Sequence, residues 1–135
     1  MRILAIDFGQ KRTGLATTDP MQIIATGLCT VQTKNLMPWL KNYFDIEQVE
    51  LVIIGAPLNL DGTETHATKL VQYFIEAFKK AFPNMPIQGV DERNTSKQAK
   101  QSMHEMGMKQ KDRRNKAFVD EIAATIILQQ YMQYR

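Results

Sequence analysis

Residues 3–17 of the chain read ILAIDFGQKRTGLAT. The apolar run at 3–6 ends on Asp7, and the glycine and charged residues at 9–12 then indicate a turn. Residues 13–17 resume an extended pattern, so the two segments predict a β-hairpin. The first strand of this hairpin ends on a carboxylate, which makes Asp7 the first candidate for a functional side chain.

The segment at 51–55 determines the other half of the sheet. It is a continuous, branched apolar run ended by Gly55, which is typical of a parallel strand covered on both faces. A hairpin followed by strands that alternate with helices indicates an α/β domain with a mixed sheet and helices on its faces. The other predicted elements are a strand at 23–31, a helix from Asn35, a helix with an apolar stripe from Ala67 to Phe78, a strand at 86–90, a helix from Thr95 to Gly107, a basic loop at 108–116 and a last helix at 117–134.

The bulk composition is that of an ordinary globular protein. With 135 residues, 44% of them hydrophobic and 23% charged, the chain is expected to form one domain spanning 1–135. The single cysteine, Cys29, excludes an internal disulfide and a cysteine-based zinc site, and we expect a buried thiol there. Because the sequence shows neither a secretory signal pattern nor a run of ~20 apolar residues, a soluble cytoplasmic protein without membrane partners is expected.

Positive charge is concentrated in one segment. The net charge of the chain is +3, but residues 93–116 alone hold eight basic and two acidic residues. Such a segment is typical either of a solvated helix and loop or of a surface that contacts nucleic-acid phosphates.

Acidic residues lie at the ends of several elements that the sheet is expected to bring together. They are Asp7 after the first strand, Asp91 and Glu92 after the strand at 86–90, and Asp120 near the start of the last helix. Ligand sites of open α/β sheets lie beyond the carboxyl ends of the parallel strands. Asp120 falls on the apolar arc of its helix, whereas Glu121 falls on the polar side. A carboxylate on a packed face needs compensation, from a bound cation or from a local cap or ion pair.

Converging carboxylates favour a hard divalent cation, Mg²⁺ or Mn²⁺, because these ions prefer oxygen ligands. Such ions activate water and stabilise the leaving oxygen of a phosphodiester. Asp91 and Glu92 are adjacent on a strand and point to opposite faces, so the geometry leaves open which of them enters the site. The loop at 55–62 leads into a helix N-terminus, and serves either as a phosphate contact or only as a connection.

Four sequence blocks carry a family resemblance. They are DFGQKRTG at 7–14, GAPLNLDGT at 55–63, DER at 91–93 and VDEIAA at 119–124. In this order, and across nearly the whole chain, they closely resemble the YqgF-type family of Holliday-junction resolvases and pre-16S rRNA nucleases.

The resemblance implies a ribonuclease H-like fold, with a five-stranded sheet in the order 3-2-1-4-5 and helices on both faces. It implies catalysis and metal binding by Asp7, Glu92 and Asp120. The implied activity is phosphodiester hydrolysis, in maturation of the 5′ end of precursor 16S ribosomal RNA, which we favour, or in resolution of branched DNA. The expected substrate-binding residues are Lys11, Arg12, Asn59, Asp61, Arg93, Arg113 and Arg114.

Two other classes of function fit parts of the sequence. A non-catalytic nucleic-acid-binding factor in ribosome assembly would use the basic segment without the acids. A nucleotide-binding domain related to actin and sugar kinases begins with a similar hairpin, but such proteins need two domains and this chain has the length of one. The sequence leaves open the choice between RNA and DNA, the number of metal ions, and whether the protein is a monomer or a homodimer.

Overall fold

The computed structural model describes residues 1–56, 65–91 and 116–134 of the chain. Its strands are β1 (Arg2–Asp7), β2 (Arg12–Thr18), β3 (Ala25–Gln32), β4 (Val49–Ala56) and β5 (Ile87–Asp91). Its helices are α1 (Leu36–Ile46), α2 (His66–Ala81) and α3 (Lys116–Tyr134), and a 3-10 turn covers Thr33–Asn35. The predicted helix from Thr95 to Gly107 and the basic residues 108–115 lie outside the described residues. Lys116, predicted in a loop, is instead the first residue of α3.

The strands form one mixed sheet in the order β3-β2-β1-β4-β5. The pairs β1–β2 and β2–β3 are antiparallel, whereas β1–β4 and β4–β5 are parallel. This confirms the mixed α/β sheet expected from the sequence pattern and the strand order implied by the resemblance. Because β1, β3, β4 and β5 run in the same direction, their carboxyl ends and the start of β2 lie together, at what we call the carboxyl end of the sheet.

Alternate residues of β1 face two different hydrophobic cores. Leu4 and Ile6 pack with α1 and α2 on one face, and Ile3 and Ala5 pack with α3 on the other. β4 is buried on both faces in the same way, as its continuous apolar sequence predicted. Helices therefore cover both faces of the sheet, as expected. The helical residues buried in the two cores are Leu36, Leu40, Val71, Phe74 and Phe78 on the first face and Ala124, Ile127 and Leu128 on the second.

The third strand begins at Ala25, later than the predicted Ile23, because the preceding loop has its own hydrogen bonds. One carboxylate oxygen of Asp19 accepts from the backbone N–H groups of Ile23 and Ile24, at 2.7 Å each. The other oxygen accepts from the N–H of Met21 at 3.0 Å. Amides bonded to a side chain are not available to a β-ladder, and the two isoleucines are 68% and 63% exposed.

These hydrogen bonds predict that Asp19 makes stability depend on pH. The backbone N–H groups of Ile24, Ile23 and Met21 hold the pKa of Asp19 below its ordinary value of 3.8. A carboxyl whose pKa is lower in the folded protein stabilises it above the unfolded pKa, and this contribution is lost as the pH falls through the folded pKa. We expect the difference in unfolding free energy between wild type and Asp19→Asn to be constant above about pH 5 and to shrink at lower pH.

Urea unfolding of both proteins at a series of pH values measures this difference. Asp45→Asn, which removes an exposed carboxylate from α1, is the control for the loss of one negative charge. A difference for Asp19→Asn that stays the same below pH 4 as at pH 6 would contradict the assignment.

Of the helices that the structure describes, none has the length and apolar character that crossing a bilayer demands.

Candidate active site

The turn between β1 and β2 is held in place by Thr33. The Thr33 hydroxyl donates to the carbonyl oxygen of Gly9 at 2.6 Å, and the Thr33 N–H donates to the carbonyl oxygen of Lys11 at 3.0 Å. The hydroxyls of Thr33 and Thr13 are 2.8 Å apart. The turn is also tight, since a Cβ on Gly9 would lie 2.3 Å from the carbonyl oxygen of Arg12. The position of the turn at the carboxyl end of the sheet is therefore fixed by its hydrogen bonds to Thr33 and by the close approach of Gly9 to Arg12.

Asp7 is the last residue of β1 and is partly buried. Since Ile3 and Ala5 pack against α3, the alternation of the strand places Asp7 on the same face as α3. Its partner across the antiparallel ladder is Gly14 of β2.

Gly14 is the point at which α3 approaches the sheet. A Cβ at this position would lie 2.1 Å from the carbonyl oxygen of Asp120 and 2.4 Å from its carbonyl carbon. Both atoms belong to the helix backbone, so only glycine allows this approach. Asp7 pairs with Gly14 in the sheet and the backbone of Asp120 packs against Gly14, so the structure brings together two of the three acids that the resemblance implied.

Arg12 forms an ion pair with Asp120. The guanidinium Nε–H donates to a carboxylate oxygen of Asp120 at 3.2 Å. The two side chains are 38% and 24% exposed, so the pair lies at the surface end of the packed face rather than in its interior. Arg12 therefore partly compensates the carboxylate on the apolar arc, and only one of its five N–H donors is used in doing so.

Glu121 lies against the sheet, which corrects its prediction on the polar side of the helix. A Cβ on Gly27 of β3 would lie 2.6 Å from a carboxylate oxygen of Glu121. The reason is that α3 crosses both β2 and β3, so a wider arc of the helix is covered than one strand would cover. Burial raises the pKa of the Cys29 thiol, and the charge of Glu121 raises it further, although Cys29 is half-buried rather than fully buried.

Lys11 is exposed in the turn at the carboxyl end of the sheet. Asp91 ends β5. The other sequence-predicted site residues lie outside the described residues, and these are Asn59, Asp61, Glu92, Arg93, Arg113 and Arg114.

The acids that the structure describes supply only oxygen donors. Within residues 1–56, 65–91 and 116–134, no three His, Cys, Asp or Glu side chains lie close enough together to hold a metal ion. The third predicted ligand, Glu92, is not in these ranges. Two partly buried carboxylates on one face still match the hard, oxygen-seeking cations predicted from the sequence.

Sequence reasoning missed three features of this site: the role of Thr33, the ion pair of Arg12, and the close approach at Gly14. A signal for the last was available, because a glycine inside a strand pattern often marks the close approach of another backbone. No comparable signal joins Arg12 to Asp120, which are 108 positions apart in the chain.

The strand order and the helices on both faces define a ribonuclease H-like α/β fold. Two solved structures share this fold. RuvC of Thermus thermophilus in complex with a Holliday junction substrate matches with a TM-score of 0.58 and 18% identity, covering 99% of this chain and 97% of that chain. A second structure of Thermus thermophilus RuvC matches with a TM-score of 0.54 and 16% identity, covering 98% of this chain and 94% of that chain. At this level of identity the likeness concerns the fold.

The chain belongs to the RuvX family, described as "Holliday junction resolvase", whose model matches residues 1–134. A relative from Flavobacterium psychrophilum is 53% identical over 131 residues, covering 97% of this chain and 96% of the relative. A relative from Bacteroides fragilis is 51% identical over 132 residues, covering 98% and 96%. Both carry the name "Putative pre-16S rRNA nuclease". The family is therefore one of nucleases, as the resemblance implied.

Proposed function

We propose that this nuclease matures the 5′ end of precursor 16S ribosomal RNA by divalent-metal-dependent phosphodiester hydrolysis. The observation that carries the proposal is the placement of Asp7 and Asp120 next to Gly14, on one face of the carboxyl end of the sheet. The names of the relatives support the RNA substrate, and the family description supports four-way DNA junctions as the second candidate.

Asp7 and Asp120 are proposed to hold Mg²⁺ or Mn²⁺ together with Glu92. Only one of the adjacent residues Asp91 and Glu92 is proposed as the third ligand, and the family resemblance of the sequence assigns that role to Glu92. When bound, the cation lowers the pKa of water and neutralises charge on the phosphodiester.

The protein's own basic residues are proposed to orient a metal ligand and to neutralise the charge of the phosphates. Arg12 fixes the orientation of the Asp120 carboxylate through its Nε–H, which leaves its other N–H donors for a phosphate oxygen. Lys11 lies in the same Thr33-held turn and is proposed to contact the nucleic-acid backbone. Further phosphate contacts are proposed for Arg93, Arg113 and Arg114, with Asn59 and Asp61 shaping the cleft.

The proposal also includes a single domain over residues 1–135, acting in the cytoplasm on a ribosomal small-subunit precursor, as a monomer or a homodimer. A non-catalytic assembly factor would bind the same RNA but would have no use for paired carboxylates beside a fixed arginine.

Cleavage assays test the proposal directly. End-labelled precursor 16S RNA, free and within precursor particles, and a four-way DNA junction are incubated with the protein in Mg²⁺, in Mn²⁺ or in EDTA. We expect cleavage at the mature 5′ end of the RNA with either metal and none in EDTA, because the chemistry requires the cation.

The junction serves as the comparison substrate. Metal-dependent cleavage of the junction alone would reassign the protein to branched DNA. If the protein bound every substrate but cleaved none in either metal, the proposed nuclease activity would be wrong and the non-catalytic assembly factor would be favoured.

A further inference from the structure

A cavity of about 430 Å³ opens on the face of the sheet opposite the acids. It lies between the end of β1, the start of α1 and the outer side of α2, and its lining includes Phe8, Met37, Leu70, Tyr73 and Phe74. Phe8 directly follows Asp7 in the chain, so this cavity and the proposed metal site lie at the same end of the sheet, on its two faces. Its volume falls in the range of small-molecule pockets, about 300–1,000 Å³.

The lining of the cavity is largely aromatic and apolar, and part of it is exposed to solvent. The rings of Phe8 and Phe74 lie 4.8 Å apart, centroid to centroid, and are tilted by 30°. Tyr73 is 67% exposed, although it stands beside residues that pack on the sheet. The apolar stripe of α2 is therefore wider than the surface that the sheet covers, and an aromatic side chain is left open to solvent.

Three lysines are next in sequence to residues that line the cavity. Lys11, Lys34 and Lys69 are exposed and are chain neighbours of the lining residues Gln10, Thr33 and Leu70. The turn that carries Lys11 is bonded to Thr33, so two of these lysines are held near one another. Among residues 1–56, 65–91 and 116–134, the acids nearest in sequence to lining residues include Asp7, on the opposite face, and Glu76, on α2 further from the carboxyl end of the sheet.

We propose that this cavity binds an unpaired nucleobase of the strand that the enzyme cuts. Aromatic side chains on which bases stack, combined with positive charge for the backbone phosphates, are the features that single-strand-binding proteins use. The exposed amide of Gln10 provides a donor and an acceptor for the edge of the base. The inference rests on the proposed function, since it names the part of the nucleic acid that the same end of the sheet recognises.

Abasic scanning tests the proposal without requiring cleavage. A short fluorescein-labelled single-stranded RNA, and a series in which each base in turn is removed, are titrated against the protein in EDTA, and binding is followed by fluorescence anisotropy. For wild type we expect one position at which removal of the base weakens binding by about tenfold, because stacking on an aromatic ring contributes on this scale.

Tyr73→Ala is the matching variant, because an exposed side chain can be removed without disturbing the core. This variant should bind the intact RNA more weakly than wild type by a similar factor. Removing the base at the sensitive position should then weaken its binding no further, because the base and the Tyr73 ring form a coupled pair. The control is Tyr134→Ala, which removes another exposed tyrosine, at the far end of α3, and should leave affinity unchanged.

The outcomes separate this inference from the function on which it rests. A flat abasic scan, or equal losses in wild type and Tyr73→Ala, would overturn the base site even if the protein cleaves RNA with metal. Tight RNA binding that is insensitive to Tyr73→Ala would likewise overturn it and leave the cavity to an apolar side chain of a protein partner. Absence of both RNA binding and cleavage would overturn the base site and the proposed function together.

Discussion

Replacing Asp7 with asparagine is expected to lower the rate of cleavage by about a thousandfold, the equivalent of about 4 kcal/mol of transition-state stabilisation. The amide keeps the shape of the carboxylate but removes the negative charge that a hard cation requires. Because Asp7 ends its strand and is only partly buried, the fold should remain intact. Cleavage kinetics under single-turnover conditions measure the loss, and calorimetric titration with Mn²⁺ should show weaker metal binding.

Asp45→Asn is the control for Asp7→Asn, since it removes an exposed carboxylate from α1 and should leave both measurements unchanged. Affinity for uncut RNA in EDTA should be kept by both variants. If Asp7→Asn cleaved at the wild-type rate, the proposed metal site would be wrong. If it lost RNA binding as well as cleavage, Asp7 would have to be assigned to substrate recognition or folding instead.

The second large effect is expected from Gly14→Ala. The new methyl group would lie 2.1 Å from the carbonyl oxygen of Asp120, and the contacted atoms belong to helix backbone that cannot rotate away. The helix must therefore move off the sheet, at a cost of about 2–3 kcal/mol, with a fall in Tm on the order of 10 °C. The same movement displaces the Asp120 carboxylate, and we expect at least about a hundredfold slower cleavage, since catalysis tolerates little misplacement.

Two other glycines provide graded controls for Gly14→Ala. A Cβ on Gly89 meets no atom of the described residues within 4 Å, so Gly89→Ala should leave Tm and cleavage near their wild-type values. A Cβ on Gly27 meets the Glu121 side chain, which can move, so Gly27→Ala should have an intermediate effect on Tm. Differential scanning fluorimetry and single-turnover cleavage rank the three variants. A Gly14→Ala protein as stable and active as Gly89→Ala would show that the close approach of α3 is not required.

The part of the fold that sequence predicts well is the part governed by local periodicity. The continuous apolar run of β4 reflects a strand that is buried on both faces. The apolar stripe of α2 reflects a helix that is buried along one face. The start of β3 was wrong because Asp19 offers its loop hydrogen bonds that compete with the ladder. Such side-chain competition depends on geometry that a pattern of apolar residues does not contain.

The candidate site divides in the same way. Helical angles were enough to place Asp120 on the packed face of α3, but Glu121 was assigned to the polar side because a single helix does not reveal how many strands it crosses. Arg12 was expected to contact phosphate or to pair with Asp91 or Glu92, and its contact with Asp120 instead depends on how distant segments pack. The roles of Asp7, Glu92 and Asp120 in catalysis stay predictions until the variants are measured.

At the end of β1, a single peptide bond separates a residue directed to one face of the sheet from a residue directed to the other. Asp7 belongs with α3, and Phe8 packs with α1 and α2. The two faces are built from different helices, so mutations that reshape one face need not disturb the other. A substitution in the aromatic lining beside Phe8 can therefore leave the position of Asp7 unchanged, so that mutation can alter the two faces of this end of the sheet separately.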